Sequence, residues 1–444
     1  TTTKIMENKL SSSSKKFLTP AAVIILLGIA GYTGFIYYQG QKVDETIANI
    51  NKVLGTDEVT VRGEITKKSF FAREVQLKLY LKDISETAKP LAVSEGVVNL
   101  GFSPKAVLHL TKVDEFDKDN LVLNSMHPTL AVDFNYRFTP KTATFTTQPF
   151  SANIDDVNIS VDRTAGKTTF LSKVEGFSSE SLSQFQTKFD IGTIKLKQLN
   201  TRNNNGGELV IGSQTFESYS DKNSLTPVKF SYDLEKVDLN QKDLGGDIKF
   251  ANFSFNTEVS KDKTTFFQSF KVGLDDLNYK SIIPVTIPKA DVKLKMDWNA
   301  SASPYSALFY EQYGNDFCTS NPVACQENLP YFGNLGASSE QLLTAITSGK
   351  IGLEVLPSYI DAKNIKIAFN GNFRFTKDSN KIGELSFKVS PAEGKSVAPY
   401  VGFLPKGTYK MEGTDAVSNI LLTHDDDNLL LSINGQNIYS VPMN

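Results

Sequence analysis

The chain has 444 residues, and its 47 Lys and Arg against 49 Asp and Glu give a net charge of -2. Apolar residues make up 40% of it, with 30 Phe and 16 Tyr. This is the composition of a folded protein that is rich in residues favoured in strands. A near-neutral balance without a long basic run lacks the electrostatic surface that nucleic-acid binding requires, so we expect no nucleic-acid partner.

Residues 17–38, FLTPAAVIILLGIAGYTGFIYY, contain no charged side chain. A helix of about 20 residues spans the hydrocarbon core of a bilayer, so this stretch predicts a transmembrane helix. The basic flank is N-terminal, at Lys9, Lys15 and Lys16, which predicts a cytoplasmic N-terminus and an exported remainder. A cleavable signal peptide is the competing interpretation, but its apolar core usually has only about 7 to 15 residues. We therefore expect a retained single-pass anchor.

Both cysteines of the chain, Cys318 and Cys325, lie in the stretch CTSNPVAC. In an oxidising compartment two cysteines this close are expected to form a disulfide, which would stabilise the fold by about 2 to 3 kcal/mol. A zinc site would need further ligands, and neither a His nor a second Cys pair lies nearby. The spacing also differs from the CxxC of redox proteins, so we predict a structural disulfide.

The segment after the membrane span, residues 39–55, carries an apolar stripe at helical spacing and predicts a juxtamembrane helix. The stripe consists of Val43, Ile47, Ile50 and Leu54. Two interpretations stay open for it. The stripe packs on its own domain, or it forms the seam of a homodimer together with the membrane pair Ala30 and Gly34, which has small-xxx-small spacing.

From Glu58 onward apolar and polar residues alternate, as in EVQLKLYLK, AVDFNYRF and DVKLKMDW. Clean alternation is typical of antiparallel sheets with one buried face. We therefore predict a mainly β protein: a single N-terminal transmembrane helix followed by extended, curved antiparallel β-sheets with a few short helices. The apolar faces form either a closed core between packed sheets or an open groove.

Turn signals place several hairpins. Asn370-Gly371 and Asn434-Gly435 are strong hairpin dipeptides, and Gly245-Gly246 is another. The apolar phase slips between Phe250 and Phe253, which predicts a β-bulge. Short helices are expected at 305–313 and 338–347.

A polar stretch near residues 200–227 suggests a division of the exported part. The predicted segments are a cytoplasmic tail at 1–16, the span at 17–38, the juxtamembrane helix at 39–55, and β domains at 56–225 and 226–444. The two β domains are continuous if the polar stretch is one long hairpin loop.

Signatures of catalysis are absent from the sequence: it has no GxSxG, P-loop, strand-linked GxGxxG or HExxH. One acidic cluster, HDDDN, places three carboxylates beside an imidazole, which is a weak candidate for a divalent cation. Its residues are His424, Asp425, Asp426 and Asp427. The flanking LLT and LLLSI favour the polar tip of a hairpin instead. We expect no enzyme activity and no cofactor.

Several stretches resemble the YdgA-like family of bacterial envelope proteins, a domain of unknown function. They are GYTGFIYYQGQKVDETI, YDLEKVDLNQKDLGG, LLTAITSGKIGLEVLP and NLLLSINGQNI. Tyr38 and Gly40 stand where that family has an aromatic-x-Gly leaving the membrane, whereas Ser69 replaces the Gly of its first hairpin motif. The resemblance implies a bacterial inner-membrane protein with a periplasmic bulk, of undefined biochemical role, for which a homodimer is one expectation.

Three functions follow as hypotheses. The first is a non-enzymatic scaffold or accessory subunit of a membrane complex. The predicted anchor and the lack of catalytic motifs support it. The alternative is a carrier of lipid or another hydrophobic ligand in a groove of the β-sheet. The third is an envelope hydrolase whose site the sequence does not reveal.

Overall fold

The computed structural model describes residues 27–55, 59–81, 89–113, 125–199, 206–220, 228–241, 247–262, 265–280, 284–299, 348–376, 379–425 and 427–442. They divide into two compact units. Unit 1 is Thr1–Phe145 with Lys173–Leu182, and unit 2 is Thr146–Ser172 with Ser183–Asn444. The following predicted features lie outside the described residues: the cytoplasmic tail at 1–16, the disulfide between Cys318 and Cys325, the helices at 305–313 and 338–347, and the Gly245-Gly246 turn.

Unit 1 is a helix on an antiparallel meander. Residues 27–48 are helical (α1) and are followed by the short helix α2 (Ile50–Leu54). The strands are β1 (Val59–Lys68), β2 (Ala72–Leu81), β3 (Ala92–Asn99), β4 (Lys105–Val113), β5 (Thr129–Phe134) and β6 (Pro140–Thr146). Strands β1 to β5 pair in sequence order, each antiparallel to the next. The predicted mainly antiparallel β architecture is confirmed in this unit.

The core of unit 1 lies between α1 and one face of the meander. Ile36, Val43 and Ile47 of α1 are buried against Val75 and Phe134 of the sheet. The apolar stripe therefore packs on its own domain, the first of the two interpretations. Leu54 was predicted on the same stripe but is exposed at the C-terminal end of α2, whereas Ile50 at the start of α2 is buried.

A buried amide joins α1 to two loops of the sheet. Gln39 is only 1% exposed. Its Nε2 donates to the carbonyls of Gly101 and Tyr136, each at 2.9 Å, and its Oε1 accepts from the Gly101 N–H at 2.8 Å. A buried amide without hydrogen-bond partners costs free energy. Because only one position of α1 along the sheet satisfies all three bonds, they fix that position.

A second polar contact lies five residues further along α1. Asp44 accepts from Arg73 Nε at 2.8 Å and from Lys68 Nζ at 2.6 Å, and Arg73 Nη1 donates to the Ser69 carbonyl at 2.6 Å. Burial alone would raise the pKa of Asp44, but the hydrogen bonds from Lys68 and Arg73 hold it below its usual value.

The stretch AVDFNYRF was predicted as one strand, and this is wrong beyond Phe134. Asn135 Oδ1 accepts from the N–H groups of Arg137 and Thr139, so the chain turns there, and Phe138 adopts a positive φ of 63°. Asn side chains favour such turns because they bond the backbone two residues on.

Unit 2 is an antiparallel sheet with strands of up to 16 residues. Two short ribbons begin it: β7 (Phe150–Ile154), β8 (Val157–Val161), β9 (Ala165–Phe170), β10 (Phe185–Ile191), β11 (Ile194–Gln198), β12 (Glu208–Ile211) and β13 (Gln214–Ser220). A meander of long strands follows: β14 (Lys229–Asn240), β15 (Asp247–Asp262), β16 (Thr265–Lys280), β17 (Val285–Asn299), β18 (Ile351–Asp361), β19 (Ile365–Arg374) and β20 (Lys381–Pro391). The final elements are α3 (Ala398–Val401), β21 (Lys410–Glu412), β22 (Asp415–His424), β23 (Asn428–Ile433) and β24 (Gln436–Pro442).

Strand β14 is where the two ribbons meet. Its first half, Lys229 to Leu234, pairs with β13, and its second half, Val237 to Asn240, pairs with β12 on the same edge. One ribbon runs through β13, β10 and β9, and the other through β12, β11, β8 and β7. The predicted boundary at 225/226 falls in the connection between β13 and β14, which are paired neighbours within unit 2.

Three of the turn and bulge predictions can be compared directly with the strands. Asn434 and Gly435 have φ of 49° and 83° and connect β23 to β24, which confirms that hairpin. The register of β15 shifts around Ala251, which confirms the bulge. The Asn370-Gly371 hairpin is wrong, because both residues lie inside β19, paired with β20 through Ser386 and Leu385.

Candidate functional site

The most extended feature of unit 2 is a set of apolar rows that run across its strands. In the first row, directly paired positions follow one another through nine strands from β14 to β23. They are Phe230, Thr257, Phe270, Leu294, Val355, Gly371, Leu385, Ile420 and Ile433. Side chains on paired positions share a face of the sheet. Only Thr257 interrupts the apolar character, and no member is charged.

Two neighbouring rows lie on the same face, because their members are separated from the first row by two residues along each strand. The second row contains Gln268, Met296, Leu353, Phe373, Gly383, Leu422 and Leu431. The third contains Gly166, Phe189, Phe216, Tyr232, Phe255, Val272 and Val292. We call the three rows together the apolar face.

Aromatic rings form the densest part of the apolar face, on β13 to β16. The ring centroids of Phe216 and Tyr232 lie 4.6 Å apart, and those of Phe255 and Phe270 lie 6.5 Å apart. Tyr232 donates its hydroxyl to Gln214 Oε1 at 2.8 Å, and burial raises the pKa of Tyr232. Burial around the Tyr232 hydroxyl thus disfavours its charged form.

Most side chains of the apolar face are only half-buried. In the first row Val355 alone is buried, and in the second row Leu353 is exposed. The half-buried members of the rows therefore keep part of their apolar surface open to solvent.

One end of the apolar face is covered. Val397, the N-cap of α3, and Val401, its last residue, are buried together with Ile365 of β19 and Ala416 of β22. Asn364 Nδ2 donates a hydrogen bond to the hydroxyl of Tyr400 at 2.9 Å. This small cluster closes the face at the ends of β19, β20 and β22, and leaves the rows described above outside it.

The opposite face of the sheet is polar, and charged side chains on it form ion pairs with each other. A depression of about 320 Å³ lies over β10 to β16, where Lys188 pairs with Glu217 at 3.3 Å and Lys229 with Glu258 at 3.1 Å. A second depression, of about 600 Å³, lies over β18 to β22, with Lys388 paired to Asp415 at 3.0 Å. These ion pairs are the cross-strand pairs expected of a solvated sheet face.

The acidic cluster lies at the tip of the hairpin between β22 and β23. Asp425 Oδ1 accepts from the N–H groups of Asp427 and Asn428 at 2.9 and 2.6 Å, and these bonds lower the pKa of Asp425. His424 stacks on Phe375 with centroids 4.5 Å apart, and its Nε2 lies 2.9 Å from the Ser379 carbonyl. Asp426 lies outside the described residues. Among the described residues, no three His, Cys, Asp or Glu side chains come together as metal ligands.

The predicted membrane pair, Ala30 and Gly34, is exposed on α1. A Cβ on Gly34 would meet no atom within 4 Å. No helix in the described part of the chain has both the length and the apolar character needed to cross a bilayer. Residues 17–26 of the predicted span lie outside that part, and residues 27–38 are helical.

Comparison with protein families, curated proteins and solved structures gave no match to this chain.

Proposed function

We propose that this chain is a non-enzymatic, membrane-anchored protein of the bacterial envelope whose apolar face binds lipid acyl chains. The observation that carries the proposal is the first row: nine paired positions without a charge, of which all but Val355 are only half-buried. An apolar surface of this continuity is unfavourable in water, so a hydrophobic occupant would stabilise it.

The chemistry of the face favours acyl chains over a protein partner. A protein interface usually carries a hydrogen bond for about every 100–200 Å² and a polar rim. The first two rows offer only the hydroxyl of Thr257 and the amide of Gln268, and these bond each other at 3.0 Å. An acyl chain requires no hydrogen bonds, which matches this surface.

The dimensions of the face also suit lipid. Strands are spaced about 4.8 Å apart, so nine strands extend the first row over about 38 Å. The hydrocarbon core of a whole bilayer is about 30 Å thick, so the row is long enough to accompany a lipid chain over its full length.

Residues 17–38 support the anchor in this proposal, because they carry no charge and follow three lysines. The resemblance to the YdgA-like envelope proteins supports the same location. An anchored protein meets lipid at high local concentration, which favours lipid as the natural occupant of the apolar face.

Site-specific photo-crosslinking in living cells tests the proposal. The photoreactive aromatic residue p-benzoylphenylalanine replaces Phe255 or Phe270 on the apolar face, and in matched controls it replaces the sequence neighbours Asn256 and Lys271, which line the polar face. We expect lipid adducts, identified by mass spectrometry of the purified full chain, from the apolar positions and at least fivefold less from the controls. Equal labelling of both faces, or adducts of protein alone, would overturn lipid binding.

The second candidate function, a scaffold that acts as a homodimer, is favoured by the edge strand β24. All seven of its residues are exposed, with Tyr439 at 65%, and among the described residues it pairs only with β23. An open strand edge can pair with the same edge of a second copy around a twofold axis.

Photo-crosslinking between two differently tagged copies distinguishes this candidate. The photoreactive residue at Tyr439 should join the two tags in one species of twice the monomer mass. The control is Tyr359 in the central strand β18, where Lys366 Nζ lies 4.3 Å from the ring centroid. A monomer from both positions would exclude pairing through β24.

A further inference from the structure

Four aromatic side chains gather at the point where α1 leaves the sheet of unit 1. Tyr32 lies on α1, Phe70 and Phe71 on the β1–β2 turn, and Phe102 on the β3–β4 turn. Tyr32 stacks on Phe102 with centroids 5.4 Å apart and lies 6.5 Å from Phe71, and Phe70 contacts Phe71 edge-on at 4.8 Å. We call these four residues the aromatic collar.

The collar is exposed although it is apolar. Phe102 is 70% exposed and Phe71 54%, and Phe70 and Tyr32 are also exposed. Large aromatic rings are rarely presented to water together on adjacent loops, since each buries up to about 150–250 Å² when covered.

The position of the collar along α1 points to its occupant. Ile36 is the first buried residue of the helix, and every described residue before Phe35 is exposed. A helix that began at Phe17 would place Tyr32 and Phe35 about 23–27 Å along its axis, at 1.5 Å per residue. A hydrocarbon core is about 30 Å thick, so the collar would lie at its boundary with the headgroups, where aromatic side chains concentrate.

We propose that the aromatic collar inserts into the outer headgroup region of the bilayer and holds unit 1 against the membrane surface. This inference rests on the proposed anchor and adds a second attachment to it. The hydrogen bonds of Gln39 to Gly101 and Tyr136 hold the β3–β4 turn at a fixed height on α1, so the two attachments act as one rigid element.

Tryptophan fluorescence in liposomes tests the collar, because the chain has a single Trp. In a Trp298→Phe background, Phe102→Trp reports on the collar. Leu81→Trp is the control, since Leu81 is exposed at the far end of β2, about 33 Å along the strand from Phe71. The full chain is reconstituted with lipids brominated near the headgroup end or near the chain terminus. We expect at least threefold stronger quenching at Phe102→Trp than at Leu81→Trp, and more from the headgroup-proximal bromines.

Flotation of the same liposomes separates the two proposals. If the protein floats with the liposomes but both positions are quenched equally, the collar is refuted and the anchor stands. If the protein does not float, the anchor is refuted and the collar with it. Quenching by terminal bromines alone would also contradict a position among the headgroups.

Discussion

The guanidinium of Arg73 occupies the space that a side chain on Gly40 would need. A Cβ at residue 40 would overlap Nη2 and lie 3.0 Å from Cζ of Arg73. Arg73 is itself buried and bonded to Asp44, so it has little freedom to move away. Because Gly40 has no side chain, α1 can lie against the β1–β2 hairpin.

We expect Gly40→Ala to destabilise unit 1 by about 1–3 kcal/mol, because the added methyl group must displace Arg73 from its ion pair. Gly34→Ala is the control: nothing lies within 4 Å of its Cβ position, and Ala favours helix. Urea unfolding of the full chain in detergent measures both. An equal loss of stability in the two variants would show that the change from Gly to Ala within the helix, and not the contact with Arg73, is responsible.

Gln39→Ala should loosen the contact between α1 and the loops. It leaves the Gly101 N–H and two carbonyls without partners in a buried position, which costs about 2–3 kcal/mol. Amide hydrogen exchange of residues 100–103 should accelerate by at least tenfold. Gln41→Ala removes an exposed bond to Tyr37 only and should leave exchange unchanged. Fast exchange in both variants would contradict the role of Gln39.

The stability of unit 1 should depend on pH through Asp44. Its pKa in the folded chain is below the value of about 3.9 expected when unfolded, so its contribution is complete above that value. It is lost as the pH falls through the lower, folded pKa. Urea midpoints between pH 2.5 and 7 should therefore fall more steeply below pH 4 in the native chain than in Asp44→Asn. Parallel curves would refute this linkage.

The two Asn-Gly pairs should respond differently to substitution. Asn434 has a positive φ, and its side chain accepts from the Asn419 N–H at 2.9 Å and donates to the Gly407 carbonyl at 3.2 Å. We expect Asn434→Ala to weaken the β23–β24 hairpin by about 1–2 kcal/mol, measured by hydrogen exchange in β24. Asn370→Ala, in an exposed strand position, should change exchange in β19 by less than half as much.

The acidic hairpin tip should be independent of divalent cations. Asp425 Oδ1 is already bonded to two backbone N–H groups, so its role is that of a turn residue. We expect the melting temperature to stay within about 1 °C when calcium or EDTA is added, and Asp425→Ala to destabilise the tip with or without calcium. A stabilisation by calcium that Asp425→Ala abolishes would instead establish a metal site.

Alternation made the long strands predictable. Val292, Leu294 and Met296 share the apolar face because side chains of a strand alternate with period two, whatever the strand pairs with. Gly371 misled the turn prediction for a physical reason: a Cβ there would lie 2.9 Å from Leu385 Cα, so the glycine permits close approach of two strands inside the sheet.

The polar contacts of α1 depend on partners far away in the chain. Gln39 bonds residues 62 and 97 positions later, and no local pattern encodes such distances. A signal did exist, since Gln39 precedes Val43 and Ile47 at helical spacing and so lies on the buried stripe. The three rows of the apolar face were likewise hidden, because their continuity depends on the register of each strand pair.

Strand β14 also has a consequence for how the protein is made. Strands β12 and β13 are synthesised before β14. Each of the two ribbons therefore has an unpaired strand edge until β14 has been made and pairs with β12 and β13. Edges of this kind attract wrong partners during synthesis. Neither ribbon can therefore complete its pairing until residues 229–240 have been made.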